Sequence, residues 1–393
     1  MNEMPRQLQP NYRYKIHDKL YDLTDFVGVH PGGMYMFNNL KLDTNITPMI
    51  YAYHKTPKNI LAMLPKYEVP ITDLIKIEYD TDYTYVKYCE LKKLVYEEIH
   101  EKKIPLYWSN TEIAYNAFML SMYLGMWGYC FYYANNLSPW WMVLLAVMNT
   151  GICNLIFHEA SHYTGFKNQN INICLTMCNY PLVVDSSWKH THNYLHHSFT
   201  NSDYDEDYNY ERFGNILRHS TDQKHHRYNN FQSIYSIVLF TTVFFNKCLV
   251  KSITLKKPNV ISLLFIFYML GFYNSSIFYG AASILFVFIA QLSHIQHECI
   301  QRNNEKKTDF LYNQVSSSMN YTTDDLITRV LCFGLDIQIE HHLFPNIPHS
   351  SLRQIQHVVR GYCDKNDIPY IEKSSVFPTI YSYICYLHKM GNP

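Results

Sequence analysis

Twenty histidines lie in this 393-residue chain, and many of them fall in short groups. "HEASH" at 158–162 sets His158 and His162 four apart, on one face of a helix. "HNYLHH" at 192–197 offers His192, His196 and His197. "QLSHIQHE" at 291–298 offers His294 and His297, and "QIEHH" at 338–342 offers His341 and His342 behind Gln338. A single HxxxH is commonly chance. Four groups beside the ends of apolar runs are another matter, because ionisable side chains at membrane depth are functional by default. So many imidazoles exceed the needs of one metal and suit two. Imidazole alone admits iron, zinc, copper or nickel.

A second chemistry sits near the N-terminus. "HPGG" at 30–33 is followed by His54, and two histidines on separate helices can clamp a haem iron from both faces. Pro31 stiffens the turn and the glycines permit close approach of the backbone. A metal centre fed by a haem must be redox-active, which removes zinc and leaves iron and copper open. Other histidines carry no such pattern. "HH" at 225–226 lies in the polar loop "TDQKHHRYNN". His190 is a minor ligand candidate beside the second group. His17, His100, His219, His349, His357 and His388 read as surface or packing. "DYDEDYN" at 203–209 hints at a calcium loop, but its sixth position is Tyr208 rather than glycine, so we reject it.

The elements that must hold these groups follow from composition. Formal net charge is +0, which argues against a nucleic-acid footprint. Mean hydropathy is only −0.21, so a membrane part must share the chain with soluble parts. Ten cysteines without a CxxC read as reduced thiols facing the cytosol, and no signal peptide is expected. Residues 11–78 read as a small α+β domain. Residues 79–110 form a linker, with a surface amphipathic helix ending before Pro105 and apolar at Val86, Leu91, Leu94, Val95 and Ile99. Residues 111–393 read as an all-α integral membrane domain. Its apolar runs 113–134, 139–157, 260–273 and 277–292 give four transmembrane helices in two hairpins, the second turning at "YNSSIFYG". Ten Lys and Arg between 158 and 258, against none in the two short hairpin loops, put that segment and both termini in the cytosol as a helical cap. The runs 231–250 and 171–184 are assigned to the interface plane, since a fifth crossing would separate the last histidine group from the others.

Residues 11–78, with "HPGG", "YDLTDF" and "YAYH", resemble cytochrome b5. That resemblance implies haem b, with His30 and His54 as axial ligands, and single-electron transfer. The helix after HPGG reads "MYMF" here, where the family is usually acidic. Nearly the whole chain resembles the membrane fatty-acid desaturases through its H-x3-H, H-x3-HH and Q-x2-HH groups, with "WKHTHN" and "NSDYDED" around the second. The Gln-led third group and the fused haem domain resemble the front-end subgroup. The resemblance implies two Fe ions held by His158, His162, His192, His196, His197, His341 and His342, with His294 matching a further ligand. Gln338 is then a weak or outer ligand, His297 an outer group, and Trp188 and Tyr194 are candidate acyl-tunnel residues. The expected activity is an O2-dependent desaturation placing a cis double bond in an already unsaturated acyl chain. The acyl group rides on CoA or a phospholipid, and the endoplasmic reticulum is the expected membrane. With no GxGxxG in the chain, a separate NAD(P)H-dependent cytochrome b5 reductase is expected. A sphingolipid long-chain-base desaturase, a lipid hydroxylase and a non-catalytic membrane electron carrier are the competing readings.

Overall fold

The computed structural model describes residues 12–393 apart from 38–39, 72–75, 180–181, 183–187, 208–215, 247–258, 301–308, 322–331 and 333. The chain is mostly helical with a small N-terminal sheet. Strands β1 (Arg13–Ile16) and β2 (Lys19–Asp22) form an antiparallel hairpin. Its turn takes His17 to φ 55°, the left-handed conformation that two-residue hairpins need. β3 (Thr44–Asn45) joins β1 in parallel and β4 (Glu68–Val69) joins β2, giving the order β3-β1-β2-β4. Alternation buries Tyr14 and Ile16 on one face. Two short helices, Thr47–Tyr53 and Pro57–Met63, each carry proline in the first turn, where its missing N–H costs nothing.

This unit does not close its core alone. Tyr14, Ile16, Phe37, Ile46 and Ile50 pack in one cluster with Tyr194, Leu195 and Phe199 from beside the second histidine group. The Tyr194 hydroxyl donates to the Asn45 carbonyl at 2.9 Å, and the Lys189 ammonium stands 3.5 Å over the Tyr35 ring. The N-terminal unit is therefore seated on the rest of the molecule.

The linker helix forms over Val86–Glu101, as its apolar spacing implies. It is a core element rather than a surface one. Tyr88, Leu91, Val95 and Ile99 are buried against Ile355 and Val359 of the helix His349–Lys365, and only Val86 and Leu94 of the apolar set face outward. Burying each such side chain contributes about 1.5–3 kcal/mol.

Among the described residues, two helices are long and apolar enough to cross a bilayer, Pro139–Ser161 and Ile261–Leu292. A third apolar helix, Asn110–Tyr132, starts at a capping box between Ser109 and Glu112. Phe118, Leu124, Tyr132, Trp140, Tyr268 and Phe272 of these helices are exposed, the pattern of a lipid-facing belt. The second spanning segment breaks at Gly271 (φ 75°, ψ 166°). Beyond it the chain doubles back, so that the Phe267 and Tyr279 rings stack at 5.9 Å. A hairpin is thus present, but its turn precedes the expected "YNSSIFYG", which stays helical. The reason is local: Ser276 Oγ donates to the Phe272 carbonyl and Ser275 Oγ to the Ile266 carbonyl, so these hydroxyls serve the helices instead of a loop. Gln232–Phe240 is helical but only nine residues long, too short to span. Its exposed Ile234 and Val238, like Phe377 and Tyr381 of Val376–Gly391, fit a membrane-surface placement. Residues 247–250 of the 231–250 stretch lie outside the described residues.

Candidate metal centre

The first histidine group closes the segment Pro139–Ser161, directly after a π-helical turn at Asn149–Cys153. The second lies on a π-helix, Lys189–His196. A π turn closes on residue i+5, so residues i+4 and i+5 fall on either side of residue i. That winding lets His196 and His197 flank His192, with ring centroids 5.1 and 4.9 Å from it. The third pair sits on the short helix Gln338–Leu343, and His294 just beyond Leu292.

These four stretches converge. His158, His162, His192, His197 and His341 form one buried group, and His196, His294 and His342 form another. Within each group the ligand nitrogens lie within 4.8 Å of one another. Imidazole nitrogens bound to one metal at about 2.1 Å lie at most about 4.2 Å apart, so both groups are close to coordination size. The two share a wall: His197 and His342 stack at 4.5 Å, and His196 stands 5.7 Å from His197.

Five of the eight rings are oriented from behind. His162 Nδ1 is 2.8 Å from the Tyr53 hydroxyl, His196 Nδ1 is 2.9 Å from Asp205 Oδ2, and His192 Nδ1 is 3.3 Å from Asp207 Oδ2. His294 Nδ1 meets the Ser317 carbonyl at 3.0 Å, and His342 Nδ1 meets Gln314 Oε1 at 3.1 Å. Occupying Nδ1 leaves Nε2 for a metal, the usual arrangement around ligating histidines. Both nitrogens of His197 and of His341 are buried without a protein partner, a costly state unless an ion satisfies them. Burial, reinforced by neighbouring imidazoles, holds the rings neutral: His192 falls to about 4 and His294 to about 3. Neutral imidazole is the metal-binding form.

Gln338 belongs to the three-histidine group. Its amide end lies 3.1 Å from His294 Nε2 and 3.4 Å from His342 Nε2. With a cation at that point, the amide turns its oxygen inward, since an NH₂ has no lone pair to offer. His297 is not brought to the centre: it lies exposed, edge-on to Tyr386 at 5.1 Å. His190 also stays outside both groups, beside Tyr194. Tyr194 lies between the second histidine group and the N-terminal sheet, its hydroxyl on the Asn45 carbonyl. Trp188 does reach the centre, stacked on His192 at 4.3 Å and edge-on to Phe157.

Sequence reasoning missed several residues. His349 is buried, not on the surface. Its ring lies 5.0 Å from His341, and its backbone N–H and Nδ1 both meet Glu159 Oε1, while Glu159 Oε2 accepts from the Trp108 indole. Asp205 lies within the "NSDYDED" stretch noted for its surroundings. Tyr53 and Gln314 had no sequence signal.

The N-terminal pair faces across a slot. The His30 and His54 rings are perpendicular, with centroids 6.1 Å apart. Two imidazoles on opposite sides of one metal, with bonds of about 2 Å, place their centroids about 6 Å apart. His54 Nδ1 donates to the Ile50 carbonyl at 3.1 Å, leaving Nε2 free for the slot. Gly32 is required because a Cβ there would sit 2.9 Å from His30 Cε1, and Gly33 because its φ is +80°. The slot opens into a cavity of about 540 Å³ whose other wall includes Tyr96, Leu106, Tyr107, His162, Tyr163 and Asn346.

Comparison with known sequences agrees with this geometry. A sequence model of the fatty acid desaturase family matches residues 134–374, more than half of the chain. The acyl-lipid (8-3)-desaturase of Physcomitrium patens is 24% identical over 96% of this chain and 87% of its own length. The Delta(8)-fatty-acid desaturase of Borago officinalis is 24% identical over 90% of this chain and 85% of its own. Acyl-lipid (8-3)-desaturase B of Dictyostelium discoideum is 23% identical over 100% of this chain and 94% of its own.

Proposed function

Because the chain belongs to the fatty acid desaturase family, we propose that it is a front-end acyl desaturase, placing a cis double bond in an unsaturated acyl chain with O2 as oxidant. The observation that carries this reading is the buried set of eight imidazoles in two adjoining groups, five and three. His158, His162, His192, His197 and His341 would hold one iron. His196, His294 and His342, with Gln338 as a weaker oxygen donor, would hold the other. Iron bound there supplies the oxidising power that no side chain has. His30 and His54 would hold haem b in residues 11–78, receiving single electrons from an NAD(P)H-dependent cytochrome b5 reductase.

The chain's own contribution is orientation and exclusion of water. Asp205, Asp207, Ser317, Gln314 and Tyr53 fix the rings. Trp188, Phe157 and Phe286 form an apolar side to the centre, against which an extended acyl chain would lie. The membrane arrangement that fits is two hairpins in the endoplasmic reticulum with both termini cytosolic, residues 79–110 serving as the linker. That arrangement sets the histidine groups at the cytosolic edge, within reach of acyl-CoA or phospholipid.

Expression in yeast supplied with defined fatty acids tests the proposal. Gas chromatography is expected to reveal a new unsaturated acid, and purified protein to carry two irons besides haem. New hydroxy acids would instead identify a hydroxylase. The absence of any new lipid, or zinc in place of iron, would overturn the reading.

A further inference from the structure

The residue before His54 reaches the metal centre. Tyr53 ends the helix Thr47–Tyr53, and its hydroxyl lies 2.8 Å from His162 Nδ1, with the two rings at 15° and centroids 6.2 Å apart. His162 Nε2 is buried without a protein partner. When Nε2 binds a metal, Nδ1 carries the ring proton and donates it to the Tyr53 oxygen.

The backbone around Tyr53 is held from the other unit. Asn346 Nδ2 donates to the Tyr53 carbonyl at 3.1 Å, and the Lys92 ammonium of the linker helix donates to the carbonyls of Tyr51 and Ala52. Lys92 is 2% exposed, so this is an interior clamp rather than a surface contact. Asn193 fixes the other side: its Nδ2 donates to the Ser161 carbonyl at 2.7 Å and lies 3.4 Å from His162 Nδ1. Tyr53 and His162 are 109 residues apart in sequence, yet each is held independently of the bond that joins them.

We propose that Tyr53 is the positioning residue that couples the haem-binding unit to the metal centre, so that His54 and His162 are joined through the Tyr53–His54 peptide link, the Tyr53 side chain and one hydrogen bond. The inference rests on the haem and iron assignments above. In each transfer one electron leaves ferrous haem, which becomes ferric, and one ferric iron of the pair becomes ferrous. No bond is made or broken and no proton leaves Tyr53, which remains a neutral phenol. Two transfers would serve each turnover, with the NAD(P)H-dependent reductase restoring the haem each time.

The test uses full-length protein in detergent, loaded with haem and iron. Its haem is reduced by a flash-generated deazaflavin radical under anaerobic conditions, and its reoxidation is followed optically. Tyr53→Phe is expected to slow reoxidation about tenfold or more. Haem absorbance and haem midpoint potential should match the unmutated protein, and rates are compared between samples loaded to the same two irons per chain. Tyr53→3-fluorotyrosine, which keeps the phenol oxygen as acceptor for the His162 proton, is expected to recover much of the rate. Reducing the iron directly with a viologen mediator should proceed equally in all three, which a general disturbance of the centre would not allow. An unchanged reoxidation rate in Tyr53→Phe, or loss of haem or iron in both variants, would overturn the proposal. Absence of haem, or of any haem-to-iron transfer, in the unmutated protein would instead refute the function proposed above.

Discussion

Asp205→Asn tests whether the two histidine groups are separate metal positions. Asp205 is fully buried, and its Oδ2 accepts from His196 Nδ1 and from the Asn201 backbone N–H, both at 2.9 Å. Asparagine keeps the shape and the Asn201 bond but removes the charge behind His196. Outer partners of this kind are worth roughly 10–100-fold in metal affinity, or about 1.4–2.7 kcal/mol. The loss falls on a group with only three imidazoles, whereas the other has five. The expected result is selective: under a graded chelator challenge followed by metal analysis, the variant drops from two irons to one at about 10–100-fold lower chelator than the unmutated protein, and the second iron is released where it was before. Asp207→Asn is the mirror control. Its contact with His192 is longer, at 3.3 Å, so its effect on the metal is smaller and falls on the five-histidine group. Equal loss of both irons in Asp205→Asn, or no earlier release of the first, would refute the division into two positions.

Other outcomes follow from the same geometry. Gly32→Ala drives a Cβ to 2.9 Å from the His30 ring and is expected to abolish haem absorbance while leaving iron in place. Gly28→Ala, with nothing within 4 Å, should be silent in the same spectra. Trp108→Phe leaves Glu159 Oε2 without its indole donor. A cost of about 1–3 kcal/mol is expected as a lower thermal midpoint with iron retained. Metal-stripped protein is expected to lose stability as pH falls from about 6.5 toward 4. His192 and His294 bind protons in the unfolded chain across that window but, with folded values of about 4 and about 3, not in the folded one. Thermal midpoints that stay flat over this range would refute it.

The eight box histidines were legible because their signal is local: four-residue spacing, adjacent pairs and proximity to the ends of apolar runs. What oriented them was not, because it comes from far along the chain. Tyr53 backs His162 from another unit, Gln314 backs His342, and His349 meets Glu159 across 190 residues. His349 in "FPNIPHSSL" reads as surface or packing, and only the fold shows that it packs beside His341 and Glu159. Tyr194 is the opposite case: its place beside His192 and His196 is plain in the sequence, but spacing does not reveal that its phenol donates to the Asn45 carbonyl. Spacing also gave the linker helix correctly while hiding what it packs against, since an amphipathic stripe fits a membrane surface as well as the helix His349–Lys365. The hairpin turn moved to Gly271 because the polar run that signals a loop in water serves helix carbonyls here.

The cavity between His30 and His54 has walls drawn from distant parts of the chain. A group held there would touch the N-terminal unit on one side and Leu106, Tyr163 and Asn346 on the other, and so would act as mortar between them. Val29 and Met63 in its lining are exposed, so the slot keeps an opening to the surface. Removing the group from finished protein is therefore expected to loosen the seat of the N-terminal unit, read as faster proteolysis of that unit, and adding it back to reverse the change.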